Sequence, residues 1–101
     1  MKSIYKVEFS DEAISGFENI IYYIESNFSF KAAQKFVIKF DETVHLISTN
    51  PNTFPKISEI GNVRRALVAK LTSIYYGVDD DRQIVNVFFV KDNRQQQPMF
   101  S

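Results

Sequence analysis

"RRALVAKLTSIYYGVDDDRQIVNVFFVKD", residues 64–92, decides the fold of this chain. "VRRALVAK" (63–70) and "SIYYGV" (73–78) are separated only by Leu71 and Thr72, and "DDDR" (79–82) leads into "QIVNVFFV" (83–90). Runs rich in β-branched and aromatic residues, interrupted by short polar turns, read as strands, and three in succession make an antiparallel meander. The third run is apolar on both faces: strict alternation puts Ile84, Phe88 and Val90 on one side and Val85, Val87 and Phe89 on the other. A strand covered on both sides belongs in the middle of its sheet, which leaves a place beside it for a fourth.

"YKVEFS" (5–10) supplies that fourth strand, with Tyr5, Val7 and Phe9 alternating against Lys6 and Glu8. Ser10 or Asp11 then offers a helix N-cap, and Asp11 and Glu12 place negative charge in the first turn, where the helix dipole favours it. Ala13, Ile14, Phe17, Ile20, Ile21, Ile24 and Phe28 recur at three and four residues, the stripe of an amphipathic helix, with Tyr22 nearly opposite. Ser29 caps a second helix whose buried stripe is Ala33, Phe36, Val37, Phe40, Val44 and Ile47. Lys31, Lys35, Ile38 and Glu42 fall on its outer face. "TNPNTFP" (49–55) ends it. The expected fold class is α+β, in the order β-α-α-β-β-β. It comprises an N-terminal strand, an antiparallel helical hairpin and a three-stranded antiparallel meander, with the helices packed on one face of the sheet. Without repeats, low-complexity tracts or a linker, residues 1–101 read as a single domain.

Composition narrows the function. The 101 residues include ten Phe, three Gly, three Pro and no Cys, which suits one packed core and excludes a disulfide framework, a thiol nucleophile and a cysteine metal site. No apolar run approaches the roughly 18 residues of a membrane span, and the charged N-terminus has no signal core. A cytoplasmic protein without membrane association is expected. Twelve basic residues balance twelve acidic ones, which speaks against indiscriminate nucleic-acid binding. The balance is uneven, however. Residues 1–28 hold two Lys against five acids, whereas Arg64, Arg65, Lys70, Arg82, Lys91 and Arg94 make the C-terminal part basic apart from Asp79, Asp80, Asp81 and Asp92.

Few residues offer chemistry. His45 stands alone on the second helix without a second His or any Cys, so no metal and no cofactor are expected. There is no G-x-S-x-G and no phosphate-cradling glycine loop, and Asp79-Asp80-Asp81 reads as a solvated turn. What remains is a basic and aromatic set: Arg64, Arg65, Lys70, Tyr75, Tyr76, Lys91 and Arg94. On a strand running 63–70, Arg64 and Lys70 share a face and Arg65 projects oppositely. Guanidinium groups in such a set could clamp an anionic transition state or dock an acidic partner. Lys91, Asp92 and Arg94 are expected to close a basic patch at the end of the sheet. Phe88, Val90 and the Pro98-Met99-Phe100 tail would add apolar surface to it.

A strand, a helical hairpin and then the Arg-led run ending in Asp92-Asn93-Arg94-Gln95, with Pro98 beyond, resemble the RelE/ParE superfamily of type II toxin–antitoxin toxins over residues 4–98. The resemblance implies one of two activities. ParE-like members inhibit DNA gyrase by protein contact; RelE-like members are ribosome-dependent mRNA endonucleases. Both are neutralised by a cognate antitoxin, in a toxin–antitoxin hetero-oligomer, and a homodimer is compatible with either. The chain departs from the nuclease pattern in its zero net charge and in having Lys91 and Asp92 where many nucleases place a His or Tyr. The ParE-like, non-enzymatic reading is therefore favoured. Under it Arg64, Arg65, Lys70, Tyr75, Lys91, Asp92 and Arg94 bind target or antitoxin. The alternative is an endoribonuclease using Arg65, Lys70 and Arg94, and a third reading is a non-toxic antitoxin-binding module of the same fold.

Overall fold

Ser10 is the N-cap, and its hydroxyl fastens two elements at once. It accepts the Ala13 N–H at 3.0 Å, satisfying one orphan donor of the first helix, and donates to the Phe88 carbonyl at 2.7 Å. In the computed structural model, which describes residues 4–57 and 61–93, this serine joins β1 (Lys6–Phe9) to α1 (Asp11–Asn27). After the second cap, at Ser29, come α2 (Phe30–Thr49), β2 (Arg64–Val68), β3 (Thr72–Asp79) and β4 (Ile84–Asp92). The β-α-α-β-β-β order read from the sequence is the observed one.

The four strands form one mixed sheet in the order β1-β4-β3-β2. The meander is antiparallel, and β1 joins it parallel to β4, pairing Lys6 with Ile84 through Phe9 with Val87. β4 is thus interior, as its apolar sequence requires. The helices cover one face. Ala13, Ile20, Ile24, Phe36, Phe40 and Ile47 pack on Ala66, Val68, Ile74, Tyr76, Val85, Val87 and Val90. Phe17 meets Phe40 with ring centroids 4.4 Å apart, and Phe9 and Phe36 extend the aromatic cluster.

Three expectations need correction. The faces of β4 are not those of strict alternation. The register passes from Tyr75 opposite Phe89 to Tyr76 opposite Val87, so Phe88 is the extra residue of a β-bulge. The bulge restores Val90 to the buried side of Val85 and Val87 and leaves Phe88 and Phe89 37% and 46% exposed. Second, β2 ends at Val68, and the turn is Ala69-Lys70-Leu71. Ala69 and Lys70 have φ of 51° and 68°, so Lys70 lies outside the strand and shares no strand face with Arg64. Third, Ile14 and Phe28 lie outside the buried stripe. Phe28 follows the last helical residue as C-cap and is 61% exposed.

Two contacts fix how the layers meet. β1 ends at Phe9, and from there α1 runs beside β4 with Gly16 pressed on the Val90 carbonyl, where any Cβ would collide with that oxygen. At the other end, the buried Tyr76 hydroxyl donates to the Pro51 carbonyl at 2.8 Å. The Phe54 ring stands edge-on to Tyr76, and Arg64 Nη1 donates to the Phe54 carbonyl at 2.6 Å. The β3–β4 turn is also tied down: Asp80 accepts from the Tyr5 hydroxyl at 2.7 Å and from Asn52 Nδ2 at 3.2 Å. These two hydrogen bonds hold its carboxyl below the usual carboxylate range.

Gly16→Ala gains about 1 kcal/mol of helix propensity yet is expected to lose about 1–3 kcal/mol net, because the α1–β4 contact must open; urea unfolding at neutral pH measures it. Burial pushes the Tyr76 phenol up to about 12, against a smaller lowering by Arg64. A folded-state value above the ordinary one means that the neutral phenol's contribution is complete below pH 10.0 and is lost as pH rises towards about 12. The wild-type urea midpoint should therefore fall across this window. Tyr76→Phe should start lower, by about 1 kcal/mol for the lost hydrogen bond, and fall less.

Candidate functional site

The sheet face away from the helices carries a cross-strand row, Arg65–Tyr75–Phe89, set by the pairing of β2 with β3 and β3 with β4. A cation at one end is followed by two rings. Lys91, two residues beyond Phe89, brings its ammonium 5.4 Å from that ring's centroid, a cation–π contact. The Phe88 ring lies over Gly77, whose absent Cβ would stand 3.1 Å from two ring carbons. Glycine at 77 therefore lets the bulged phenylalanine lie flat on the sheet. Ser73, fully buried, holds the place between Leu67 and Lys91 in the next row, and its hydroxyl has no hydrogen-bond partner.

Beside this face, where α1 passes β4, lies a cleft of about 320 Å³ lined by Gly16, Asn19, Ile20, Tyr75, Val90, Lys91, Asp92 and Asn93. A shallower groove continues from it along the start of α1, past Ser15, Glu12 and Asp11, with Phe89 and Lys91 opposite. The cleft exists because Gly16 lets α1 approach the backbone of β4 and because the bulge turns Val90 inward. Its polar groups are the Lys91 ammonium, the Asn19 and Asn93 amides, the Tyr75 phenol and the Asp92 carboxyl, which is itself largely buried.

The structure thus gathers Tyr75, Lys91 and Asp92 about one cleft and sets Arg65 next to Tyr75. Arg64 faces the other way, bound to the Phe54 carbonyl within the 51–57 segment. Lys70 sits exposed at the tip of the β2–β3 turn, at the far end of β2 from Arg64 and Arg65. Arg94 and the Met99-Phe100 tail lie outside the described residues. His45 is exposed on α2, and among the described residues no three His, Cys, Asp or Glu side chains are grouped to hold a metal. The cleft therefore offers one cation, Lys91, and hydrogen-bonding groups suited to recognition, and its described lining includes no histidine. Sequence reasoning missed Gly16, Asn19, Phe89 and Ser73. Only Gly16 left a signal, as a lone glycine inside a helical pattern.

The chain matches the family of the ParE toxin of the type II toxin–antitoxin system, parDE, over residues 7–97, and it belongs to that family. No curated protein matches it at a significant level. Among solved structures it is similar to the chromosomal ParDE system of P. aeruginosa, with a TM-score of 0.74 at 15% identity over 88% of this chain and 96% of that one. It is also similar to the RelBE2 toxin–antitoxin complex of Mycobacterium tuberculosis, with a TM-score of 0.58 at 18% identity over 89% and 92% of the two chains. For the isolated E. coli RelE toxin the TM-score is 0.57 at 13% identity, over 95% and 90%. At these identities the likeness is one of fold.

The two neighbouring arginines should separate in experiment. Arg64→Ala is expected to cost about 1.5–3 kcal/mol through the lost charged hydrogen bond to Phe54, and Arg65→Ala to stay within about 0.5 kcal/mol of wild type; denaturant unfolding of both variants reads the difference.

Proposed function

We propose that this protein is the toxin of a type II toxin–antitoxin pair acting in the cytoplasm. On this reading it inhibits DNA gyrase by protein contact and is silenced by a cognate antitoxin. The membership in the ParE family carries this reading. Two further observations support it. The open sheet face presents Arg65 and Tyr75, two of the residue types that dominate protein-binding hot spots, with Phe89 and Lys91 beside them. The formal net charge of zero suits a protein target better than ribosomal phosphates. An antitoxin partner is supported by the complexes among its fold neighbours, the M. tuberculosis RelBE2 assembly and the intact E. coli RelBE pair. No helix among the described residues is long and apolar enough to cross a membrane. Target contact is assigned to Arg65, Tyr75 and Lys91, with Asp92 shaping the cleft beside them.

One observation favours the second reading, an mRNA endonuclease. Two adjacent rings, Tyr75 and Phe89, flanked by the cations Arg65 and Lys91, also make a platform on which single-stranded bases stack. Expression of the protein alone in a bacterium, with pulse labelling over the first minutes, decides between them. Thymidine incorporation is expected to fall before methionine incorporation, and purified protein is expected to inhibit gyrase supercoiling. Arg65→Ala combined with Lys91→Ala should then raise the inhibitory concentration by about tenfold or more. Methionine incorporation falling first, with cleaved mRNA, would overturn the gyrase reading in favour of the nuclease.

A further inference from the structure

A second concavity lies between α2 and the β2–β3 hairpin, and shares α1 with the cleft at Lys91. It is a groove of about 240 Å³ whose floor and walls include Ile24, Phe36, Val68 and Leu71. Its surface is almost wholly apolar, and the Phe28 ring at its end is more than half exposed. Two features set it apart from an ordinary packing defect. Lys35 and Lys39 line the same side, one helical turn apart, and neither has a carboxylate partner among the described residues. Thr72 lines the opposite wall with its residue fully buried and its hydroxyl without a hydrogen-bond partner. Buried hydroxyls are rarely left so.

We infer that this groove is a docking site for an acidic segment of a partner protein, one that seats a large apolar side chain against Phe36, Val68 and Leu71 and sets carboxylates on Lys35 and Lys39. The charges decide the class of occupant. An apolar slot rimmed on one side by two unpaired ammonium groups, about 6 Å apart along the helix, rejects a basic segment and leaves a neutral one with two desolvated cations. An acidic amphipathic segment fills the slot and pairs both ammonium groups. The groove is lined by none of Arg65, Tyr75 and Lys91, so substitutions at its rim test it separately from that face. The inference rests on the toxin–antitoxin reading in one respect: the antitoxin is the partner that carries the segment.

The test uses the full-length protein and the protein encoded beside it, purified separately, with affinity measured at low and moderate salt. Lys35→Glu combined with Lys39→Glu changes two exposed side chains and is expected to weaken binding at least tenfold and to flatten its salt dependence. Leu71→Ser should weaken binding severalfold through the apolar contact, and Lys56→Glu, a charge reversal outside the groove, should leave it unchanged. Wild-type affinity in the double variant overturns the groove while the toxin–antitoxin reading stands. Failure of the wild-type protein to bind its neighbour overturns both. A double variant that binds normally but changes from dimer to monomer in light scattering makes the groove an interface between copies of this chain, which also overturns the inference.

Discussion

The hydroxyl of Ser10 is the constraint on which the rest of the structure depends. In one atom it ends β1, caps α1 and takes up the Phe88 carbonyl at the bulge. The Ser10 N–H reaches the Val87 carbonyl at 3.0 Å, so the junction is held at two consecutive residues of β4. Because α1 starts from that fixed point, its position beside β4 is set by hydrogen bonds at the junction as well as by side-chain packing. Gly16 then meets Val90, and the cleft between them opens as a consequence of backbone geometry. A local cap, worth on the order of 1 kcal/mol in most helices, here also places a site.

Most of the architecture was legible because its signals are local. The caps at Ser10 and Ser29, the helix stop before Pro51 and the interior place of β4 follow from hydrogen-bonding inventory, φ restriction and apolar periodicity. The errors have a common cause: features imposed by distant parts of the chain. "VNVFFV" has no mark of a bulge. The shift at Phe88 is stabilised by Ser10, 78 residues earlier in sequence. Nor do Ala69 and Lys70 announce a left-handed turn, since neither is Gly or Asn. Arg64 and Arg65 look equivalent in sequence. Only the return of the 51–57 segment along β2, with Arg65 N–H donating to Pro55 and Arg64 to Phe54, gives one of them a structural role. Asp80 was read as one of three solvated turn acids, and its bonds to Tyr5 and Asn52 depend on elements far from it in sequence.

The two concavities divide the molecular surface by chemistry. One borders the sheet face where two rings lie between cations. The other is an apolar slot with basic residues on one wall. They are neighbours: α1 contributes Ile20 to the first and Ile24 to the second, and β3 contributes Tyr75 and Thr72. A four-stranded sheet covered by helices on one face carries both concavities.

The tip of the β2–β3 hairpin has an implication for how this fold tolerates change. Two successive L-residues with side chains occupy left-handed backbone, each at a cost of about 1 kcal/mol that Gly or Asn would avoid. The Leu71 carbonyl at that tip also accepts the Asn93 N–H at 2.8 Å, tying the hairpin to the residue after β4. A two-glycine turn would relax the backbone but take the Ala69 side chain from the wall of the slot and loosen the turn that leads to Leu71 and Thr72. The hairpin therefore sits away from its own conformational optimum, so drift towards better local turns runs against the shape of the surface it presents.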